Sequence, residues 1–318
     1  MESASPPSDS RPTLSINQLA RIYPRERLLV KPLFWTKRQL ELLQVSFDQP
    51  RPAPPITRFA FTGEKSGEKV ARSLLTMSLL TDRELAVDRV LANPVCPLKI
   101  RPNMFFHFGR RRRTLRGSNS LFLPQKSGTP TTVAVYIDEE RIQVTRRHAL
   151  RPKLEYSRGF SITYSLYEKK MKRITPLKSL HDPYIVALLI AAAQEQHGRG
   201  LAWKHCSETC PATFLSKVLY SVPKSDCLYL YTAEIPTPFI EMIFQPGVPP
   251  PTQMSIFIQV TTICYTPSET LRDRLLALLL PPGYCAQDGE QKRDDSTGVK
   301  DLGTDQTGQE SRLSESAV

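Results

Sequence analysis

Asp182-Pro183-Tyr184-Ile185-Val186-Ala187-Leu188-Leu189-Ile190-Ala191-Ala192-Ala193-Gln194 decides the fold. Asp182 is suited to cap a helix, because its carboxylate accepts from free first-turn amides and complements the positive helix end. Pro183 fits the first helical position, where a missing N–H costs nothing. His197-Gly198 offers a stop, since glycine accepts the left-handed conformation on which helices often end. A helix with almost no polar face must be covered on nearly every side. It is too short to span a bilayer, which takes roughly 20 apolar residues. The reading is a core helix lying on a sheet formed by the strands before and after it.

Downstream of that helix the pattern is regular. Thr213–Tyr220 and Cys227–Ala233 read as strands joined by Pro223-Lys224-Ser225-Asp226, a turn composition that predicts an antiparallel hairpin. Thr237-Pro238 opens a short helix through Phe244, and Ser255–Ile263 is a further strand. Thr266-Pro267-Ser268-Glu269 has the form of a capping box and predicts a helix ending near Leu280.

Upstream, Thr132–Ile137 reads as a strand, followed by a turn at Asp138–Arg141 and a strand over Ile142–Val144. Phe160, Ile162, Tyr164 and Leu166 alternate with Ser161, Thr163 and Ser165, which predicts a half-buried strand. Adjacent strands mixed with single helices give the α+β class, with a mainly antiparallel sheet over a buried central helix. This core is expected over 130–285. Before it, 16–129 reads as a basic, helical and irregular N-terminal extension. Its helices are expected over 36–43, capped by Thr36, and within 64–93. The serine- and proline-rich 1–15 and the tail from 286 to 318 read as disordered.

The chain has 318 residues, 40% of them hydrophobic, and a formal net charge of +12. Residues 288–318 carry eight acids and four bases, which leaves +16 on the first 287 residues. A basic body with an acidic tail points to polyanion partners. Six cysteines in this length are no disulfide framework. Without a basic segment and apolar core at the start, no secretory signal is expected. The expected setting is intracellular, nuclear or cytoplasmic, without membrane insertion.

Met104-Phe105-Phe106-His107-Phe108-Gly109-Arg110-Arg111-Arg112-Arg113-Thr114-Leu115-Arg116 is the densest basic stretch. Three readings stand: a buried strand running into a charged loop, a nuclear import signal, or aromatics that stack bases while arginines hold phosphates. Arg110, Arg111, Arg112, Arg113 and Arg116 carry the last two. Gly117 to Pro130 is read as loop.

Catalytic signatures are scarce. Gly63-Glu64-Lys65-Ser66-Gly67-Glu68-Lys69 misses the spacing and the Gly-Lys-Ser/Thr of a phosphate loop. No Gly-x-Ser-x-Gly elbow occurs. A nuclease pattern built on Asp226 and Glu234 fails because Pro236 stands where a lysine belongs. His205, Cys206 and Cys210 are the metal candidates, three residues separating the two cysteines, but a second ligand pair is missing. Cys227 and Cys264 sit in strands and read as small core residues. No cofactor is expected.

Asp182–Leu189, Leu228–Pro236 and Pro238-Phe239-Ile240 resemble an uncharacterised family of filamentous-fungal proteins over roughly residues 130–265. The resemblance implies that this part is a unit in a eukaryotic compartment, and carries no activity or ligand. The function expected is a non-enzymatic interaction module with a protein partner. The alternatives are a nucleic-acid-associated protein using the arginine cluster, and a metal-dependent hydrolase needing convergent acids.

Overall fold

The computed structural model describes residues 13–26, 28–55, 79–92, 96–124, 131–152, 160–202 and 212–281. Helices α1 (Ile16–Ile22) and α2 (Lys37–Leu42) precede two short strands, β1 (Val45–Phe47) and β2 (Arg51–Pro52). Helix α3 (Leu80–Leu91) leads to the long pair β3 (Lys99–Phe108) and β4 (Arg111–Leu123). Then follow β5 (Thr131–Asp138), α4 (Glu139–Leu150), α5 (Phe160–Ile174) and the central α6 (Pro183–Ala202). Strands β6 (Thr213–Ser221) and β7 (Cys227–Pro236), α7 (Thr237–Phe244), β8 (Ile256–Cys264) and α8 (Leu271–Leu279) complete the order.

The eight strands form one sheet in the order β1-β8-β7-β6-β5-β4-β3, with β2 also on β8. The class is α+β, and the sheet is mixed. Four pairings are antiparallel, while β5–β6, β1–β8 and β2–β8 are parallel. The parallel β5–β6 pair exists because α4, α5 and α6 lie between those strands in sequence, long enough for a crossover. The sheet also runs across residue 130: β4 and β5 are neighbours, so residues 99–123 are two of its strands.

Helix α6 lies on one face. Its residues Tyr184 to Ala193 are each at most 1% exposed. They share a core with Val135 and Ile137 of β5, Val218 and Tyr220 of β6, Tyr231 and Ile235 of β7, and Ile256 and Ile258 of β8. These alternate along each strand, so they share a face. The intervening Tyr136, Leu219 and Leu230 are buried on the other face. There Arg83 of α3 bonds Asp138, and Lys217 donates to Leu278 and Leu279 carbonyls at the end of α8 (2.7 and 3.0 Å). The result is helices on both sides of one sheet.

Asp182 caps α6 as its sequence predicts, accepting from Tyr184 N–H at 2.9 Å. The helix does not stop at Gly198 but continues to Ala202. An added Cβ at Gly198 would meet nothing within 4 Å, so glycine stands there in open space, where helical geometry costs it only about 1 kcal/mol relative to alanine. Thr36 caps α2 through a complete capping box with Gln39.

Four local expectations are corrected. Phe160–Leu166 is not a strand but the start of α5. Phe160, Tyr164, Tyr167, Met171 and Ile174 also recur at helical spacing, and Lys172 and Arg173 suit the last turn of a helix. Ile142–Val144 is not a strand but lies in α4, because Asp138 is an N-cap, accepting from Glu140 N–H at 2.8 Å, with Glu139 and Glu140 in the first turn. The segment after Gly117 is not a loop until residue 124, since β4 reaches Leu123 and pairs on both sides. Finally, Thr266 does not start α8. Ser268–Thr270 is a 3-10 turn, and Thr270, at the cap, donates its hydroxyl to Pro267 O instead of receiving a helix amide.

Residues 1–12, most of the expected 64–93 helix, Gly63–Lys69 and the tail lie outside the described residues. Ser15, by contrast, is buried and forms a capping box with Gln18.

Candidate functional site

Strands β3 and β4 fold back through Gly109-Arg110. Gly109 has φ +55° while Arg110 keeps an ordinary negative φ, the pattern of a type II′ hairpin turn, which takes glycine first. Gly109 N–H donates to Ile243 O at 2.9 Å, fixing the turn to the end of α7. Gln194 of α6 clamps the strand next to it, accepting from His107 N–H (2.9 Å) and donating to His107 O (2.8 Å). The hairpin tip is therefore held from two helices.

Its register sorts the arginines. Phe106 pairs with Arg113, His107 with Arg112 and Phe108 with Arg111. Directly opposed residues share a face, so Arg111 and Arg113 lie with Phe106 and Phe108. Together with Arg110 they line a cleft of about 410 Å³, whose other wall includes Val30, Lys31 and Trp35. Trp35 meets Phe106 edge to face, ring centroids 5.5 Å apart, and donates to Val30 O. Arg112 takes the opposite face and places its guanidinium 3.4 Å over the ring centroid of Phe105, a cation–π contact. Burial, and secondarily the charge of Arg112, push the His107 imidazole below its ordinary value.

Arg116 is exposed beside Gly117, whose φ of +80° marks the irregular step of β4. The structure thus brings Arg110, Arg111 and Arg113 to one cleft and sets Arg112 and Arg116 apart from it. Trp35 and Lys31 join the site from a segment some 75 residues earlier, with no local signal in the sequence.

Six arginines elsewhere are paired with carboxylates. Arg38 meets Glu26 and Glu41, Arg51 meets Asp48, Arg101 meets Glu195, and Arg141 meets Glu84. Arg83 and Arg146 are paired within the interior. Among the described residues, no carboxylate pairs with Arg110, Arg111, Arg112, Arg113 or Arg116, and all five are exposed.

Two buried polar clusters show the contrast. At the carboxyl ends of the parallel strands β5 and β6, Asp138 accepts from Arg83 Nε and Nη2 (both 3.0 Å) and from Ser221 Oγ (2.6 Å). Tyr136 shares a hydrogen bond with Ser221 at 2.9 Å, and burial with the nearby Asp138 charge raises its phenol well above the ordinary value. In the second cluster Arg146 grips Asp182 through both carboxylate oxygens. Asp138 and Asp182 are fully buried, their oxygens spent on protein donors. Both clusters hold elements together.

The metal candidates His205, Cys206 and Cys210 lie outside the described residues. Among the described residues no three His, Cys, Asp or Glu side chains converge to hold a metal. Cys227 and Cys264 stand opposite one another on β7 and β8, sulfurs 3.2 Å apart. Cys227 is buried and Cys264 exposed. Asp226 precedes β7 and Glu234 lies near its far end, on an exposed position. No helix among the described residues is long and apolar enough to cross a membrane. No protein-family model matches the chain, and no curated protein matches it.

Proposed function

We propose that this chain is a non-enzymatic binding module that holds single-stranded nucleic acid on the β3–β4 hairpin, in a nuclear or cytoplasmic setting. The observation that carries the reading is the set of four consecutive exposed arginines at the tip of a braced hairpin without carboxylate partners. Other half-exposed arginines, such as Arg38 and Arg101, are neutralised by nearby acids, and those that are not stand singly or in pairs, never four in a row. Guanidinium groups match phosphate oxygens in pairs. The exposed ring of Phe105 and the half-buried Phe108 stand beside them, with Phe106 and Trp35 buried in the cleft wall, and aromatic faces stack bases without regard to sequence.

The test is titration of labelled single- and double-stranded oligonucleotides at low and physiological salt, with an R110A/R111A/R112A/R113A variant alongside. If four phosphates are held, the logarithm of affinity falls against that of salt with a slope of about −3 for single strands. The variant should lose most of the affinity and most of that slope. Its melting midpoint should fall only slightly, since exposed side chains without carboxylate partners contribute within about 0.5 kcal/mol each and the Arg112 cation–π contact with Phe105 adds about 0.5–1 kcal/mol. Equal affinity and equal slope in the two proteins refute the reading.

A further inference from the structure

At the edge of the sheet far from the hairpin, β1 is the last strand. Its register places Val45, Ser46 and Phe47 against Ile256, Phe257 and Ile258 in parallel. Gln44 O accepts from Ile256 N–H at 3.1 Å, and Asp48 N–H donates to Ile258 O at 2.8 Å. The ladder to β8 therefore runs through Gln44, Ser46 and Asp48. The backbone N–H and C=O groups of Val45 and Phe47 point the other way, out of the sheet.

They open on a groove of about 700 Å³ between α2 and the end of α5. Leu40, Phe47, Ile174 and Leu177 supply apolar wall, and Leu177 is fully exposed. Phe47 is held flat against His181, ring centroids 4.9 Å apart and planes 4° from parallel. On the α5 side the rim is Lys172, Arg173 and Lys178, all exposed and without carboxylate partners among the described residues. The acid on the opposite rim, Glu41, is already engaged by Lys37 and Arg38. The uncompensated charge of the groove is positive.

An open edge invites another strand, and proteins usually block one with a charge, a proline or a cover. Val45-Ser46-Phe47 contains neither charge nor proline. We propose that this edge receives an extended acidic segment of a partner protein as an added strand. Main-chain bonds to Val45 and Phe47 supply affinity and register, as in other strand-addition complexes. Apolar side chains at alternate positions enter the groove against Leu40, Phe47 and Ile174. The intervening acids meet Lys172, Arg173 and Lys178, which favours acidic over basic segments and speeds encounter.

The probes are fluorescein-labelled octapeptides alternating glutamate with valine, leucine or phenylalanine, read by fluorescence anisotropy against the full chain. Controls are the same peptides with lysine for glutamate, and glutamate peptides methylated on alternate backbone nitrogens in both registers. At least one glutamate peptide should bind tenfold or more tightly than its lysine counterpart. K172E/R173E/K178E should weaken it tenfold or more, while R110A/R111A/R112A/R113A leaves it unchanged. Methylation in one register should abolish binding.

Three outcomes overturn the proposal: no glutamate peptide binds, binding survives methylation in both registers, or charge reversal leaves it unchanged. Displacement of the peptide by an oligonucleotide that needs Lys172 and Arg173 would assign the groove to nucleic acid instead. A dimer in sedimentation velocity that dissolves in the charge-reversed variant would assign it to a second copy. Because the hairpin arginines are separate from the groove, failure here leaves the nucleic-acid reading standing, and the reverse.

Discussion

Arg146 and Asp182 form a closed pair in the interior, with Nη1–Oδ2 and Nη2–Oδ1 distances of 2.6 and 2.7 Å and both residues fully buried. Arg146 Nε also donates to Leu33 O at 3.1 Å. One guanidinium thus joins α4, the cap of the central helix and the N-terminal turn Pro32–Phe34. This geometry is bidentate and charge-assisted, the strong form of a hydrogen bond.

Removing one member leaves the other charged, buried and alone. Arg146→Met and Asp182→Asn should each cost about 3–5 kcal/mol of unfolding free energy. The double variant keeps a capping side chain and buries no charge, so it should lose clearly less than the sum of the singles. Urea unfolding of the four proteins checks this. Additive losses would mean that the pair is not the coupling between these segments.

Gly117 should resist substitution. Its φ is +80°, and a Cβ built there would lie 2.5 Å from Cγ of Arg141. Arg141 cannot swing aside freely, because its guanidinium pairs with Glu84 of α3. Gly117→Ala therefore combines backbone strain with a displaced ion pair, and should cost about 1–3 kcal/mol. The measurement is the denaturation midpoint. A midpoint equal to that of the parent would show that β4 does not need this irregular step.

Glu139 should make stability depend on pH. Burial raises its carboxyl above the ordinary value, and the charges of Asp138 and Asp182 raise it further, against a hydrogen bond from Ser179. The folded protein thus holds this proton more tightly than the unfolded chain. That contribution is present in full below the unfolded value of about 4.3 and is lost as pH rises through the folded one. Glu139→Gln should melt above the parent at pH 7, and the gap should close as pH falls toward 4. A gap that is independent of pH would mean that the glutamine acts through packing and not through charge.

Elements with a single strong local signal were legible. Asp182-Pro183 followed by an apolar run has one reading, and the structure gives it: a capped helix buried along ten residues. The β6–β7 hairpin and β8 stand where their turn composition and β-branched runs put them, and α7 starts at Thr237-Pro238 with its proline in the first turn, although Thr237 is a helix residue and no side chain caps it. The polar start of α4 was equally local. Asp138 with two acids behind it is a cap and first turn, which weighs more than the short β-branched run after it.

Phe160 to Ile174 is different in kind. Its first seven residues alternate as a strand does, while the whole stretch also repeats at helical spacing. A strand needs a neighbour to satisfy its amides, whereas a helix satisfies them within itself. With β1 and β3 at the two ends of the sheet and α5 paired to neither, the helix is what remains. The arginine stretch had a similar limit: its charge was plain in the sequence, but whether acids from elsewhere neutralise it depends on which segments the fold brings near.

The sequence by itself determined the buried helix, the class of fold and the density of positive charge, because cap chemistry, periodicity and composition act over a few residues. Only the tertiary structure decided three other things. It put the parallel β5–β6 pair inside an otherwise hairpin-built stretch of sheet. It joined Trp35 and Lys31 to Arg110, Arg111 and Arg113. It left the amides of β1 facing an apolar, cation-rimmed groove. Each is a contact between residues far apart in the chain, set by which surfaces find cover in one common core, and no local pattern encodes that.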